Sequence, residues 1–104
     1  MALNTNTHLG VHQFTGPVTN TSYLPALSGV YLIATIAPNG QHTVIDVGES
    51  HNLQHRIKNH DRAPQWQRNM QNGLYAWTYL ANEFERMNIE KAHRIAYNPV
   101  CGER

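Results

Sequence analysis

The run from Gly29 to Val47 limits the fold more than any other stretch of the chain. Val30, Leu32, Ala34 and Ile36 alternate with Tyr31, Ile33 and Thr35, which is the period-two pattern of a strand. Ala37-Pro38-Asn39-Gly40 follows. Pro presets φ and Gly accepts φ > 0, so the chain is expected to turn back there. The return strand runs from Gln41 to Val47. If Ala37 pairs with Gly40, Tyr31 faces Asp46; a bulge at Gly40 instead brings Tyr31 opposite Val47. The apolar pattern favours the first register. It places Val30, Leu32, Ala34, Ile36, Ile45 and Val47 on one dry face and Tyr31, His42 and Asp46 on a more polar one.

A helix is expected next. Ser50 is a good N-cap, Leu53 and Ile57 are spaced to pack on the sheet, and Asn52, Arg56 and His60 form a second row on an adjoining face. Pro64 is expected to close it. Residues 74–80 read as a third strand, with Tyr75, Trp77 and Tyr79 on one side as core rather than as a base-stacking platform. A last helix fits residues 83–97, capped by Asn82 with Glu85 three residues on. Phe84, Met87, Ala92, Ile95 and Ala96 form its apolar stripe, Arg86, Glu90, His93 and Arg94 the opposite face, and Asn98-Pro99 stops it. The order is β-β-α-β-α. This is a small α/β domain of the α+β type, with a short three-stranded sheet that begins in a β-hairpin and is flanked by helices.

At 104 residues the chain has room for one core. Its charge is unevenly placed: residues 1–45 contain no Lys, Arg, Asp or Glu, and all charged side chains lie from Asp46 onward. Residues 1–22, rich in Thr and Asn, read as a polar N-terminal arm, mobile or laid along the core through Val11, Phe14 and Val18, with the domain proper at 23–104. The net charge of +1 announces no polycationic nucleic-acid binder. Cys101 is the only cysteine, which excludes an internal disulfide and a four-cysteine zinc site. No apolar run approaches the ~20 residues of a membrane helix, and the N-terminus lacks a signal-peptide pattern. A cytoplasmic location without membrane contact is the expectation.

Gly29-Val30-Tyr31, followed after a hairpin by Asp46-Val47-Gly48, resembles the GIY-YIG nuclease superfamily. Asn52-Leu53 with Arg56, His60 four residues later, and Glu90 in a C-terminal helix match further positions. Arg62-Ala63-Pro64-Gln65-Trp66 and Tyr97-Asn98-Pro99 with Cys101 look like one branch of small single-domain members. The resemblance covers roughly residues 24–104. It departs from the pattern at Asp46, where the family usually has Tyr, and at Gly102, where it usually has Asn.

The resemblance implies a metal-dependent endonuclease that hydrolyses phosphodiesters of nucleic acid, DNA foremost, weakened by the two departures. Glu90 would hold one divalent ion, Mg²⁺ or Mn²⁺. Arg56 would clamp the phosphate, Tyr31 would take the proton of the attacking water, and His60 would position water or serve as base. Asp46, placed opposite Tyr31, is a second candidate metal ligand. Four cations, Arg56, Lys58, Arg62 and Arg68, against Asp61 alone make residues 51–68 a basic patch. Trp66 inside it offers a stacking surface for a base.

Each residue also has a plainer reading. Tyr31 is a common strand aromatic, Arg56 a solvated helix charge, and Glu90 an ion-pair partner of Arg86 and Arg94 at helical spacing. His51 and His55 have zinc-chelating spacing but no evident third ligand, and His8 and His12 add nothing further. The alternatives to a nuclease are a non-catalytic nucleic-acid-binding module and a protein-interaction module on the same fold. The oligomeric state is not legible.

Overall fold

The computed structural model describes residues 2–7 and 10–102, with side chains from His12 onward. The elements in chain order are β1 (Ala2–Thr7), β2 (Gly10–Val18), a 3₁₀ turn (Thr21–Tyr23), β3 (Gly29–Ile36) and β4 (His42–Ser50). Then come α1 (Leu53–Lys58), α2 (Ala63–Arg68), β5 (Tyr75–Leu80) and α3 (Glu83–Tyr97). They form a mixed α+β domain around one antiparallel sheet ordered β1-β2-β5-β3-β4.

The sheet has five strands rather than the expected three, because the polar first 22 residues supply β1 and β2. β2 pairs with the edge of β5 and β1 with the far side of β2, so backbone hydrogen bonds tie both into the sheet. Phe14 anchors β2 with its side chain fully buried. A segment of Thr, Asn and Gly carries little period-two signal, so its pairing was not legible.

The β3–β4 hairpin turns where expected but in a different register. The Ala37 N–H donates to the Gln41 carbonyl at 2.8 Å, and Ile36, Thr35 and Ala34 face His42, Thr43 and Val44. A bulge then inserts Ile45, and beyond it Ile33 faces Asp46, Leu32 faces Val47 and Tyr31 faces Gly48. Tyr31 therefore lies opposite neither Asp46 nor Val47. The extra residue also turns Ile45 away from the Val30–Leu32 side. One apolar cluster gathers Tyr31, Ile33, Ile45 and Ala76 with Leu53, Ile57 and Trp66 of α1 and α2. The other gathers Val30, Leu32, Ala34, Val47 and Trp77 with Ile89 of α3. Both faces of the sheet are thus covered. His42 belongs to the second side, edge-on to Trp77. Trp77 is 1 % exposed, with Tyr75 and Tyr79 packed against its cluster, so these aromatics are core as expected.

Asn52, not Ser50, caps α1, accepting the His55 N–H at 3.1 Å. Pro64 does not end the helical region. It sits in the first turn of α2, where its missing N–H costs nothing. The last helix has the bounds and cap read from the sequence, with the Asn82 side chain accepting the Glu85 N–H at 2.9 Å. It is rotated from the expected orientation, and of the expected apolar stripe Ala92 alone is buried. Ile89, Ala92 and His93 face the sheet, while Phe84, Met87 and Ile95 are 82 %, 51 % and 75 % exposed. Asn98 ends α3 in the left-handed conformation. The tail then crosses the edge of β4, where the Cys101 N–H donates to the Ile45 carbonyl at 2.9 Å. No helix among the described residues is long and apolar enough to cross a membrane.

Candidate functional site

Tyr31 is the third residue of β3 and is 1 % exposed. Its phenol reaches across β4 over Gly48, where any Cβ would collide with it. Beyond Gly48 the phenol oxygen is hydrogen-bonded to Nε2 of His60, and the two rings meet edge-to-face at 5.6 Å. His60 lies just past α1 and is itself 6 % exposed, its ring packed on Trp66 at 4.5 Å.

The direction of that hydrogen bond follows from the other side of the ring. The Arg62 N–H donates to Nδ1 at 3.0 Å, so Nδ1 carries a lone pair and the proton of the neutral imidazole sits on Nε2. His60 therefore donates to the Tyr31 oxygen. Burial, then the charges of Arg56 and Arg62, push the His60 pKa down to about 4, so the ring is neutral at pH 7. Burial pushes the Tyr31 phenol well above its usual range, aided by the charge of Asp46 and opposed by Arg62 and Arg56. Arg56 acts on the phenol through its nearby positive charge. Its Nη2 also donates to Asp61 at 2.9 Å, with side chains 37 % and 73 % exposed.

Asp46 is the second buried feature, with a side chain at 0 % exposure. Oδ1 accepts from the Val47 N–H at 2.9 Å and from Arg94 at 2.8 Å. Oδ2 accepts from Arg62 at 2.8 Å and from the Trp66 indole at 2.7 Å. Burial works against its ionisation, but these donors outweigh it and hold the carboxyl below the usual carboxylate range. A carboxylate has about four acceptor positions, and all are used. Asp46 therefore does not fit a metal ligand and stands as the internal counter-ion of two arginines.

Arg94 joins this carboxylate to α3. It donates to the Val47 carbonyl, to the Cys101 carbonyl at 3.1 Å and to Glu90 Oε2 at 3.1 Å. Sequence reasoning placed Arg94 on a solvent face. The signal that could have found it is Asp46 itself, since a charge at a buried strand position needs a partner.

The structure thus brings Tyr31, Arg56 and His60 together. Glu90 is linked to Asp46, and so to this cluster, through Arg94. Two members of the expected basic patch are withdrawn: Arg62 is held by Asp46, and Trp66, 5 % exposed, is a core residue rather than a stacking surface. Lys58 and Arg68 are exposed on α1 and α2.

No group of three or more His, Cys, Asp or Glu among the described residues is arranged to hold a metal ion. Glu90 alone, 21 % exposed with Arg94 on one oxygen, fits the single-carboxylate mode in which Mg²⁺ keeps most of its waters. His51 and His55 gain no third ligand. His12 packs against the rings of His93 and Tyr79, and His8 lies outside the described residues.

Fold and site together define a small α+β domain with a buried phenol–imidazole pair on one face of its sheet, beside a carboxylate neutralised by two arginines. No protein-family model, curated protein or solved structure matches the chain.

Proposed function

We propose that this chain is a nuclease-like domain of the GIY-YIG type that hydrolyses nucleic-acid phosphodiesters, DNA foremost. The observation that carries the reading is the meeting of Tyr31, His60 and Arg56 across the β3–β4 pair.

The chemistry asks for a proton acceptor and a phosphate clamp. As a phenolate, Tyr31 takes the proton of the attacking water. The His60 Nε2–H already donates to its oxygen and the nearby positive charge of Arg56 favours the charged form, so both are in place when that charge appears. Arg56 also offers a planar fork to a phosphate. Glu90 is the residue that would hold the Mg²⁺ or Mn²⁺ implied by the resemblance; when bound, such an ion stabilises the departing oxygen.

One observation favours a second reading. Tyr31 is 1 % exposed, and Arg62 and Trp66 are engaged inside the protein. A module that keeps the fold and binds nucleic acid or a protein partner through its remaining surface needs no access to the phenol.

Incubation with plasmid, single-stranded DNA and RNA, in Mg²⁺, Mn²⁺ or chelator, separates the two. The nuclease reading expects metal-dependent cutting that Tyr31→Phe and Glu90→Ala both abolish. Salt-sensitive binding without cutting supports the module. Neither cutting nor binding leaves a protein-interaction domain.

A further inference from the structure

The ion pairs around the site differ in how easily they open. Arg62 and Arg94 are tied to Asp46, whose side chain is fully buried, and Arg94 also to Glu90. Arg86 is tied to Glu49, a side chain 32 % exposed. Arg56 alone of these arginines has a counter-ion that stands in solvent, Asp61 at 73 % exposure. Asp61 also lies 3.3 Å from His60 Nδ1. That nitrogen already accepts the Arg62 N–H and offers Asp61 no proton. The Arg56 guanidinium is therefore the side-chain donor that holds the Asp61 carboxylate.

The geometry points to Asp61 as an internal stand-in for the substrate phosphate: its Oδ1 holds Nη2 of Arg56 at 2.9 Å, and a phosphate that takes the whole guanidinium fork must displace it to bind. This rests on the nuclease-like reading of the Tyr31–Arg56–His60 cluster. Carboxylate and phosphate present the same paired oxygens to a guanidinium, so they compete for one set of donors. The exchange is inexpensive because an exposed pair is weak and solvent rehydrates the released carboxylate. Asp61 thereby raises the threshold for binding. An anion with a single weak contact does not open the fork, whereas a polyanion that also meets Lys58 and Arg68 does.

The test is equilibrium binding of a short fluorescein-labelled duplex DNA, in chelator, to the full chain and to Asp61→Asn, Arg56→Ala and the double variant. A parallel titration with inorganic phosphate, followed by phosphorus NMR, separates a site for any phosphate from one that needs the polymer. Asp61→Asn should bind duplex about three- to tenfold more tightly than the parent, the size expected on releasing an exposed ion pair and its like-charge repulsion. The gain should vanish when Arg56 is also Ala. A matching gain for inorganic phosphate shows that the fork reads the oxyanion itself, and a gain for duplex alone that it needs the polymer. A parent that binds duplex with Asp61→Asn no tighter overturns the inference and leaves the nuclease-like reading standing. A gain that persists without Arg56 is a general charge effect and also overturns it. If neither parent nor variant binds either probe, both readings fall.

Discussion

The phenol of Tyr31 occupies the space that a side chain at Gly48 would need. The two residues are direct partners across β3 and β4, and a Cβ built on Gly48 falls onto the phenol oxygen. Glycine is required there for close approach and not for backbone conformation.

Gly48→Ala should therefore push the phenol off its hydrogen bond with His60. The expected cost is about 2 kcal/mol, the usual penalty of overpacking a buried site. It reads out as a lower midpoint in urea and as a changed chemical environment of the His60 ring by NMR. An unchanged midpoint and an unmoved His60 signal would contradict the contact.

His60 predicts a pH-dependent stability. Its pKa is about 4 in the folded chain and about 6.5 when unfolded. Between those values the unfolded chain binds more protons, so stability rises with pH across that interval and is complete above its upper end. The His60 contribution is about 3 kcal/mol. His60→Gln should flatten the curve of stability against pH between about pH 4 and pH 6.5.

Asp46 acts lower on the scale. Its folded pKa lies below the unfolded value of about 3.9, so its contribution is present above that value and is lost as pH falls through the folded pKa. Asp46→Asn leaves Arg62 and Arg94 without their shared counter-ion and should cost about 3 kcal/mol at neutral pH. The gap from the parent should close as the solution is acidified below about pH 4, measured by chemical denaturation at each pH.

If Tyr31 is the base, the active fraction is the phenolate, and burial makes that form scarce at neutral pH. The cleavage rate should then climb with pH at least to about pH 9, approaching tenfold per unit. A plateau near neutrality would assign the proton to another group.

The orientation of α3 can be checked directly. Ile89→Ala removes a residue only 7 % exposed and should cost about 3 kcal/mol. Phe84→Ser alters a side chain 82 % exposed and should move stability by about half a kcal/mol or less. The reverse order would mean that the helix packs through the other stripe.

The sequence by itself determined the local elements: the hairpin turn at Ala37–Gly40, the strand through Tyr75–Leu80, and the last helix with its Asn82 cap. These follow from turn chemistry, period-two alternation and capping, which act between residues close in the chain. Tertiary structure alone decided the rest. Two one-residue shifts moved Tyr31 from Asp46 to Gly48: one in the turn, where Ala37 pairs with Gln41 rather than Gly40, and one at the Ile45 bulge; each costs little locally and is settled by which side chains fit between the sheet and α1 and α2. The rotation of α3 was settled the same way, since its mixed sequence offers two half-apolar faces and burying Ile89, Ala92 and His93 lets Arg94 reach Asp46. The pairing of Asp46 with Arg62 and Arg94 spans up to 48 residues of chain. Only the folded protein brings such charges close enough for their attraction to outweigh the loss of water.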